Sequence, residues 1–463
     1  MTSTLLRPLT WFTTTTGLST VLASPRDVHL ILATRSLRMF AYGATSLIFA
    51  LYLRSLSIPD PQMGAFMTFT LLGDIALSLL LTFTADTLGR RRTLALGAAG
   101  MLLAGSTFAL AQNYWVLLGA AVVGVISPAG SEIGPFRAVE ESTLAHVVPP
   151  DQRPFVLAWY VVTAALGSAA GVAGGGALVD GLMARGWAAG EAYAGVFWIV
   201  ALVGSVNILL AGAMSAGCEQ RAAEYEGVPL VDSEGDSDAD AEDAKPAPLP
   251  PPKKAAFTRI SRSSRAVLFK LCLLFALDSI GSGMANNAFV NYYLTLKFGV
   301  RASVLGGIMS STWIVSAASN MFAGTLAARL GLLKTMVYTH LPSSLMLAAL
   351  PVPGSLAGAA VLLVLRAGLS SMDQAPRSAF IAGAVRAEEM TAVMGVVNVA
   401  RTLMQSVGPG VTGLLAGRGL FALAFVGAGA LKAGPRKGYI AMQADTADPQ
   451  LNTLLYDDRS REI

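Results

Sequence analysis

The sequence predicts an all-α polytopic membrane protein made of two six-helix bundles related by a pseudo-two-fold axis, and three observations carry that prediction. Hydrophobic residues form 54% of the chain and charged residues only 13%, where an average soluble domain carries about 25% charged residues. About eleven apolar runs are long enough to cross a bilayer, at ~20 residues per span. Short sequence features also recur at a nearly constant separation between the two halves.

The charge deficit places most of the chain in lipid, because a soluble chain of 463 residues would need charged surface for several domains. Cys218 lies in a polar loop and Cys272 in an apolar run, so neither a disulfide framework nor a cysteine metal site is expected. His29, His146 and His340 are too scattered to suggest a ligand set. No nucleotide-binding loop, nucleophile arrangement or cofactor motif appears, and the chain does not read as an enzyme.

The apolar runs lie near Ser36 to Leu56, Met63 to Ala85, Leu94 to Ala111, Trp115 to Phe136, Pro154 to Leu178 and Ala194 to Ala213. A second set lies near Ala266 to Leu294, Ala302 to Leu326, Thr335 to Val352, Ala357 to Ala375 and Met390 to Leu415. Leu420 to Gly434 is a weaker twelfth run, and a short or truncated last helix is expected there. Spans of this kind are helices, since a lone segment in lipid must satisfy its own backbone. The resulting division is a tail over 1–27, a bundle over 28–214, a linker over 215–265, a bundle over 266–434 and a tail over 435–463.

The linker runs through an acidic tract (Asp232 to Asp243), a proline-rich stretch (Pro246 to Pro252) and a basic end (Lys253 to Arg265). That composition cannot bury a core and predicts disorder. With both termini cytosolic, the external loops hold only Arg54, Arg185, Lys297, Arg301 and Arg418, and Arg366 and Arg401 fall within spans. The remaining lysines and arginines then lie on the cytosolic side, which satisfies the positive-inside rule. An internal membrane and the plasma membrane both fit.

Four anchors define the repeat. Tyr52-Leu53 recurs as Tyr293-Leu294, Gly64 as Gly306, Leu88-Gly89 as Leu330-Gly331, and Glu132-x-x-Pro135 as Asp373-x-x-Pro376, at separations of 241 or 242 residues. A constant separation over separate anchors predicts parallel halves related by an axis along the membrane normal.

The string Ala85-Asp86-Thr87-Leu88-Gly89-Arg90-Arg91-Arg92 after the second run resembles the major facilitator superfamily signature Gly-x-x-x-Asp-Arg-x-Gly-Arg-Arg. A degenerate copy, Gly324 to Gly331, stands after the second run of the other half. Read from the residues, Gly89 permits a tight reversal and Arg90 to Arg92 anchor the loop beside the membrane. The resemblance implies a conformational latch built from Asp86, Gly89 and Arg90, with Glu140 or Glu141 as the acidic neighbour. Thr82, Thr87 and Ala328 depart from the signature, so the second latch is expected to be weaker or absent.

Asp74, Asp278, Arg366 and Arg401 fall near the middle of their runs, where each charge costs at least ~2.5–3.5 kcal/mol. The resemblance implies that Asp278 and Arg366 face a central cavity and that Asp74 and Arg401 bridge the halves; charge pairing predicts an Asp278–Arg366 pair. Asn286, Asn287, Asn291 and Gln374 add hydrogen-bonding capacity, for a solute or for neighbouring backbone. Glu132 and Asp373 are either proton-carrying carboxylates or buried acids paired with Arg137 and Arg377. Gly167, Gly171, Gly174 to Gly176, Gly408, Gly410 and Gly413 serve either bending or close helix packing.

The expected function is secondary active transport of a small solute by alternating access, coupled to protons. A non-transporting membrane sensor or inactive relative is the alternative. The expected partners are the solute, protons and the bilayer, without nucleic acid, metal or cofactor, and the chain is expected to act as a monomer.

Overall fold

The computed structural model describes residues 16–124, 126, 135–219, 262–373, 376–377 and 390–434. A short helix, α1 (Leu18–Leu22), leads into α2 (Arg26–Ser55), α3 (Asp60–Leu88), α4 (Arg90–Leu110), α5 (Tyr114–Val123), α6 (Pro135–Val147), α7 (Arg153–Ala184) and α8 (Ala189–Ala213). The second half contains α9 (Arg262–Met284), α10 (Asn287–Phe298), α11 (Ala302–Leu330), α12 (Leu332–Ala348), α13 (Leu356–Ser371), α14 (Met390–Gly417) and α15 (Phe421–Ala433). The chain crosses between two faces. We call the face holding Arg26, Gly89 and Ser215 proximal and the one holding Ser57, Gly186 and Gly299 distal.

Six described helices are long and apolar enough to span a membrane alone: α2, α3 (through Leu81), α4, α7, α8 and α11. Some other runs depart from a single long helix. Of the fourth apolar run the structure describes α5, and α6 begins at the end of that run, so Glu140 and Glu141 lie inside a helix. The seventh run breaks after Met284, where Asn286 accepts a hydrogen bond from the Phe289 amide at 2.9 Å and starts α10. An asparagine favours such a start because its side chain satisfies an amide that has no partner within the helix. The last helix, α15, is 13 residues long, ~20 Å at 1.5 Å per residue, against ~30 Å of hydrocarbon.

The repeat is visible in backbone geometry. Gly89 (φ 92°) and Gly331 (φ 84°) hold the same reversal before α4 and α12. In each case a threonine one turn later, Thr93 or Thr335, donates its hydroxyl to the glycine carbonyl at 2.9 Å. At the distal face the positive-φ residues Ser57 (φ 60°) and Gly299 (φ 61°) also correspond.

Within the first half, α2 lies so close to α7 that a Cβ on Gly171 would sit 2.0 Å from the Phe40 carbonyl oxygen. Between the halves, α7 packs on α11 and α3 on α14, and a Cβ on Gly64 would sit 2.5 Å from the Pro409 carbonyl oxygen. Close packing is thus the structural role of the small residues at both contacts. The cross-half hydrogen bonds among the described residues cluster toward the distal face: Asn291 Nδ2 to the Ser46 carbonyl (3.1 Å), Tyr292 to Asp60 (2.9 Å) and the Gly410 amide to Thr68 (3.1 Å). Asp180 at the end of α7 also accepts from the Ala302 and Ser303 amides at 3.2 and 2.9 Å and from the Ser303 hydroxyl. A carboxylate there meets the free amides and positive dipole end of α11.

A buried charge cluster in the second half

Asp278 is 6% exposed in α9 and lies among three basic side chains. Its Oδ1 is 3.1 Å from Lys432 Nζ of α15 and 2.9 Å from His340 Nε2 of α12. Its Oδ2 accepts from Arg377 at 3.1 Å. Asp373, 1% exposed, is 2.8 Å from His340 Nδ1 and also pairs with Arg377. His340 thus stands between two carboxylates, one at each ring nitrogen. A neutral imidazole can donate from only one nitrogen, whereas the imidazolium donates from both.

The expected Asp278–Arg366 ion pair does not form. Lys432, Arg377 and His340 occupy the carboxylate, and Arg366 Nε has no hydrogen-bond partner. The Arg366 carbonyl accepts from Ser343 at 3.3 Å, which ties α13 to α12. For Asp373 the structure shows the arginine-paired alternative. Arg401 lies over the Phe275 ring at 5.6 Å, with Arg377 at the same distance from that ring. Asp74 is buried in α3 at 6% exposure. Of the asparagines, Asn291 serves neighbouring backbone, Asn286 caps α10, and Asn287 is half-buried beside it. Glu132 and Gln374 lie outside the described residues, as does the side chain of Asp86.

The first half holds a separate buried cluster. Glu140, fully buried, pairs with Arg38 at 2.8 Å and accepts from the Tyr160 hydroxyl at 2.7 Å. Arg35 lies 3.9 Å from the same carboxylate and 3.7 Å from the centre of the Tyr160 ring. Glu140 therefore belongs to the interior of the bundle, and Glu141 pairs with Arg137 on the exposed side of α6 at 2.7 Å. Among the described side chains at the motif turn, Glu219 accepts from the Arg90 and Arg91 amides at 2.7 and 3.2 Å. The Arg90 guanidinium donates to Ser142 at 2.8 Å. The beginning of the predicted linker is thus ordered: Ser215 donates its amide and hydroxyl to Asp27 at 2.9 and 2.5 Å, and burial and Asp27 push the nearby Cys218 thiol up to about 12.

Sequence reasoning missed His340, Lys432, Arg35, Arg38, Tyr160, Asp180 and Glu219. Signals existed for some of them, since Arg38, His340 and Lys432 each interrupt an apolar run, and a polar group there is functional by default. Asp180 and Glu219 carry no such signal, because both lie at span ends where carboxylates are ordinary.

Comparison with known proteins agrees with this architecture. The chain is 31% identical over 420 residues to the Saccharomyces cerevisiae membrane protein YJR124C, covering 88% of this chain and 91% of that one. In fold it is similar to the nucleoside transporter NupG (TM-score 0.66, 13% identity, 90% of this chain and 99% of the other). It is also similar to the Escherichia coli xylose transporter XylE in an inward-open conformation (0.63, 13%, 92% and 99%). A bacterial homologue of the human lysosomal transporter Spinster, inward-facing, gives 0.60 and 16% identity over 90% and 95%. Residues 31–409 match the sequence profile of the Major Facilitator Superfamily, and the chain belongs to that superfamily of membrane transport proteins.

Proposed function

We propose that the chain carries a small solute with an anionic group across the bilayer by alternating access, coupled to a proton held at His340. The observation behind this reading is His340 itself, 2.9 Å from Asp278 and 2.8 Å from Asp373. With the proton present, each ring nitrogen carries a donor facing a carboxylate, while in the neutral ring a lone pair on Nδ1 can accept from Arg377 Nη2 at 3.4 Å. After the proton leaves, one ring nitrogen turns a lone pair toward a carboxylate, and the α9–α12 contact loses its reason to stay closed. The proton thereby biases one arrangement of the second half over another, which is what coupling requires.

The charge balance supports an anionic solute. Two carboxylates, Asp278 and Asp373, stand near His340, Arg377 and Lys432, with Arg366 close by and outside any described ion pair. A guanidinium offers a planar fork that matches a carboxylate or phosphate. The distal cross-half bonds support a structure closed on that side, with solute exchange at the proximal face.

The test uses purified protein in proteoliposomes enclosing a pH-sensitive dye, challenged with a panel of organic anions and matched cations. We expect an anion to drive proton movement in the wild type and His340→Gln to lose at least tenfold of that signal while still folding, as judged by its elution from gel filtration. Undiminished proton movement in His340→Gln would remove the coupling role. Movement driven by cations alone would remove the anionic solute.

A further inference from the structure

We infer that a phospholipid with a zwitterionic headgroup binds in a cavity at the distal end of the first half, away from both charge clusters. The cavity measures about 920 Å³ and lies between the distal ends of α2 and α4, the α7–α8 turn and the first turns of α8. Small-molecule sites span about 300–1,000 Å³. Its floor is already satisfied by protein, because the Tyr52 hydroxyl donates to the Phe108 and Ala111 carbonyls at 2.7 and 3.2 Å. The polar chemistry is therefore at the mouth.

Two opposite charges stand there. Arg185 has no described side-chain hydrogen bond or ion pair, and Glu191 uses one carboxylate oxygen to accept from the Ala188 amide at 3.2 Å, leaving the other. Trp187 and Trp198 complete the rim at 48% and 50% exposure. Below it, the outer faces of α4 and α8 expose Leu103, Leu110, Leu202 and Leu209, an apolar track suited to acyl chains. Tryptophans where an apolar face ends mark the membrane–water interface. A phosphate fits the Arg185 fork, and an ammonium or quaternary amine fits Glu191 and the face of a tryptophan. An anionic headgroup would leave Glu191 opposed to it.

The repeat supplies an internal contrast. The α14–α15 turn repeats the α7–α8 turn: Arg185 and Trp187 both bond back to Leu182, and Arg418 and Leu420 both bond back to Leu415. This aligns Arg185 with Arg418 at a separation of 233 residues. The same separation puts Leu420, Ala424 and Leu431 where the first half has Trp187, Glu191 and Trp198. The second half keeps the arginine and lacks the acid and both indoles.

The experiment is native mass spectrometry of the full chain in maltoside detergent, titrated with dioctanoylphosphatidylcholine, dioctanoylphosphatidylglycerol or free phosphocholine. One phosphatidylcholine should bind saturably, about tenfold more tightly than phosphatidylglycerol, and phosphocholine alone should bind at least tenfold more weakly. Arg185→Gln and Glu191→Gln should each weaken phosphatidylcholine about tenfold, Arg185→Lys less, and Arg418→Gln not at all. Melting curves of each variant, matching wild type, show that the fold is kept, and Trp198→Leu serves as a further variant if Glu191→Gln melts early. Equal binding of phosphatidylglycerol, equal binding of phosphocholine, or equal loss in Arg418→Gln would each overturn the site.

Discussion

The two halves of this transporter bury charge in opposite ways. In the first, the described cluster centres on Glu140, held by Arg38 and Tyr160 with Arg35 beside them. These contacts tie α2, α6 and α7 together as a brace, and its two guanidinium groups do not lose their protons under physiological conditions. In the second half the described cluster contains histidine and lysine, and its carboxylates are shared among several donors. The comparison teaches that symmetry of backbone does not impose symmetry of chemistry: one half gathers arginines and a tyrosine around Glu140, and the other shares Asp278 and Asp373 among a histidine, an arginine and a lysine.

The largest expected effect separates brace from switch. Removing one partner of a buried pair leaves the other charge uncompensated, at a cost of about 3–5 kcal/mol, so Glu140→Gln and Asp278→Asn should both lower thermal stability in detergent. The two should then diverge. Adding Lys432→Met to Asp278→Asn should recover part of the stability without restoring proton coupling, because a lone lysine is no longer buried. If Glu140→Gln abolishes coupling and Asp278→Asn preserves it, the contrast between the halves is reversed.

An intermediate effect concerns the contact that joins the halves. Asp180 accepts three hydrogen bonds at the start of α11, whereas the pair related by the repeat, Gly413 against Asp60, is backbone packing. Asp180→Ala should shift the population toward states open at the distal face, read as several-fold faster labelling of a cysteine placed at Ser46. Labelling at the wild-type rate would reduce Asp180 to a local cap.

The smallest effect tests the repeat itself. Ser57 and Gly299 share a left-handed backbone conformation, which costs a residue with a Cβ about 1–2 kcal/mol. Ser57→Gly should therefore raise the unfolding midpoint slightly, and Gly299→Ser should lower it. Opposite shifts would mean that local packing, not backbone strain, governs these turns.

Much of this architecture was legible before the coordinates. Burial in lipid obliges each apolar run to form a helix, and the separation of 241 or 242 residues between Tyr52 and Tyr293 or Gly89 and Gly331 exposes the duplicated plan, because both turns need the same positive φ. The midplane acid Asp278 was also legible, since a charge in an apolar run demands a partner. Its partners were not. Depth along a span can be counted, but the rotation of each helix about its axis is set by packing against neighbours. Rotation turned Lys432 toward Asp278 and left Arg366 outside the pair. It also brought His340, isolated in sequence, between two acids 62 and 33 residues away. Composition and periodicity thus determined the number, class and pairing of the bundles. Which charges meet was decided by tertiary structure, because the cost of an uncompensated charge in lipid is met through contacts between helices far apart in the chain.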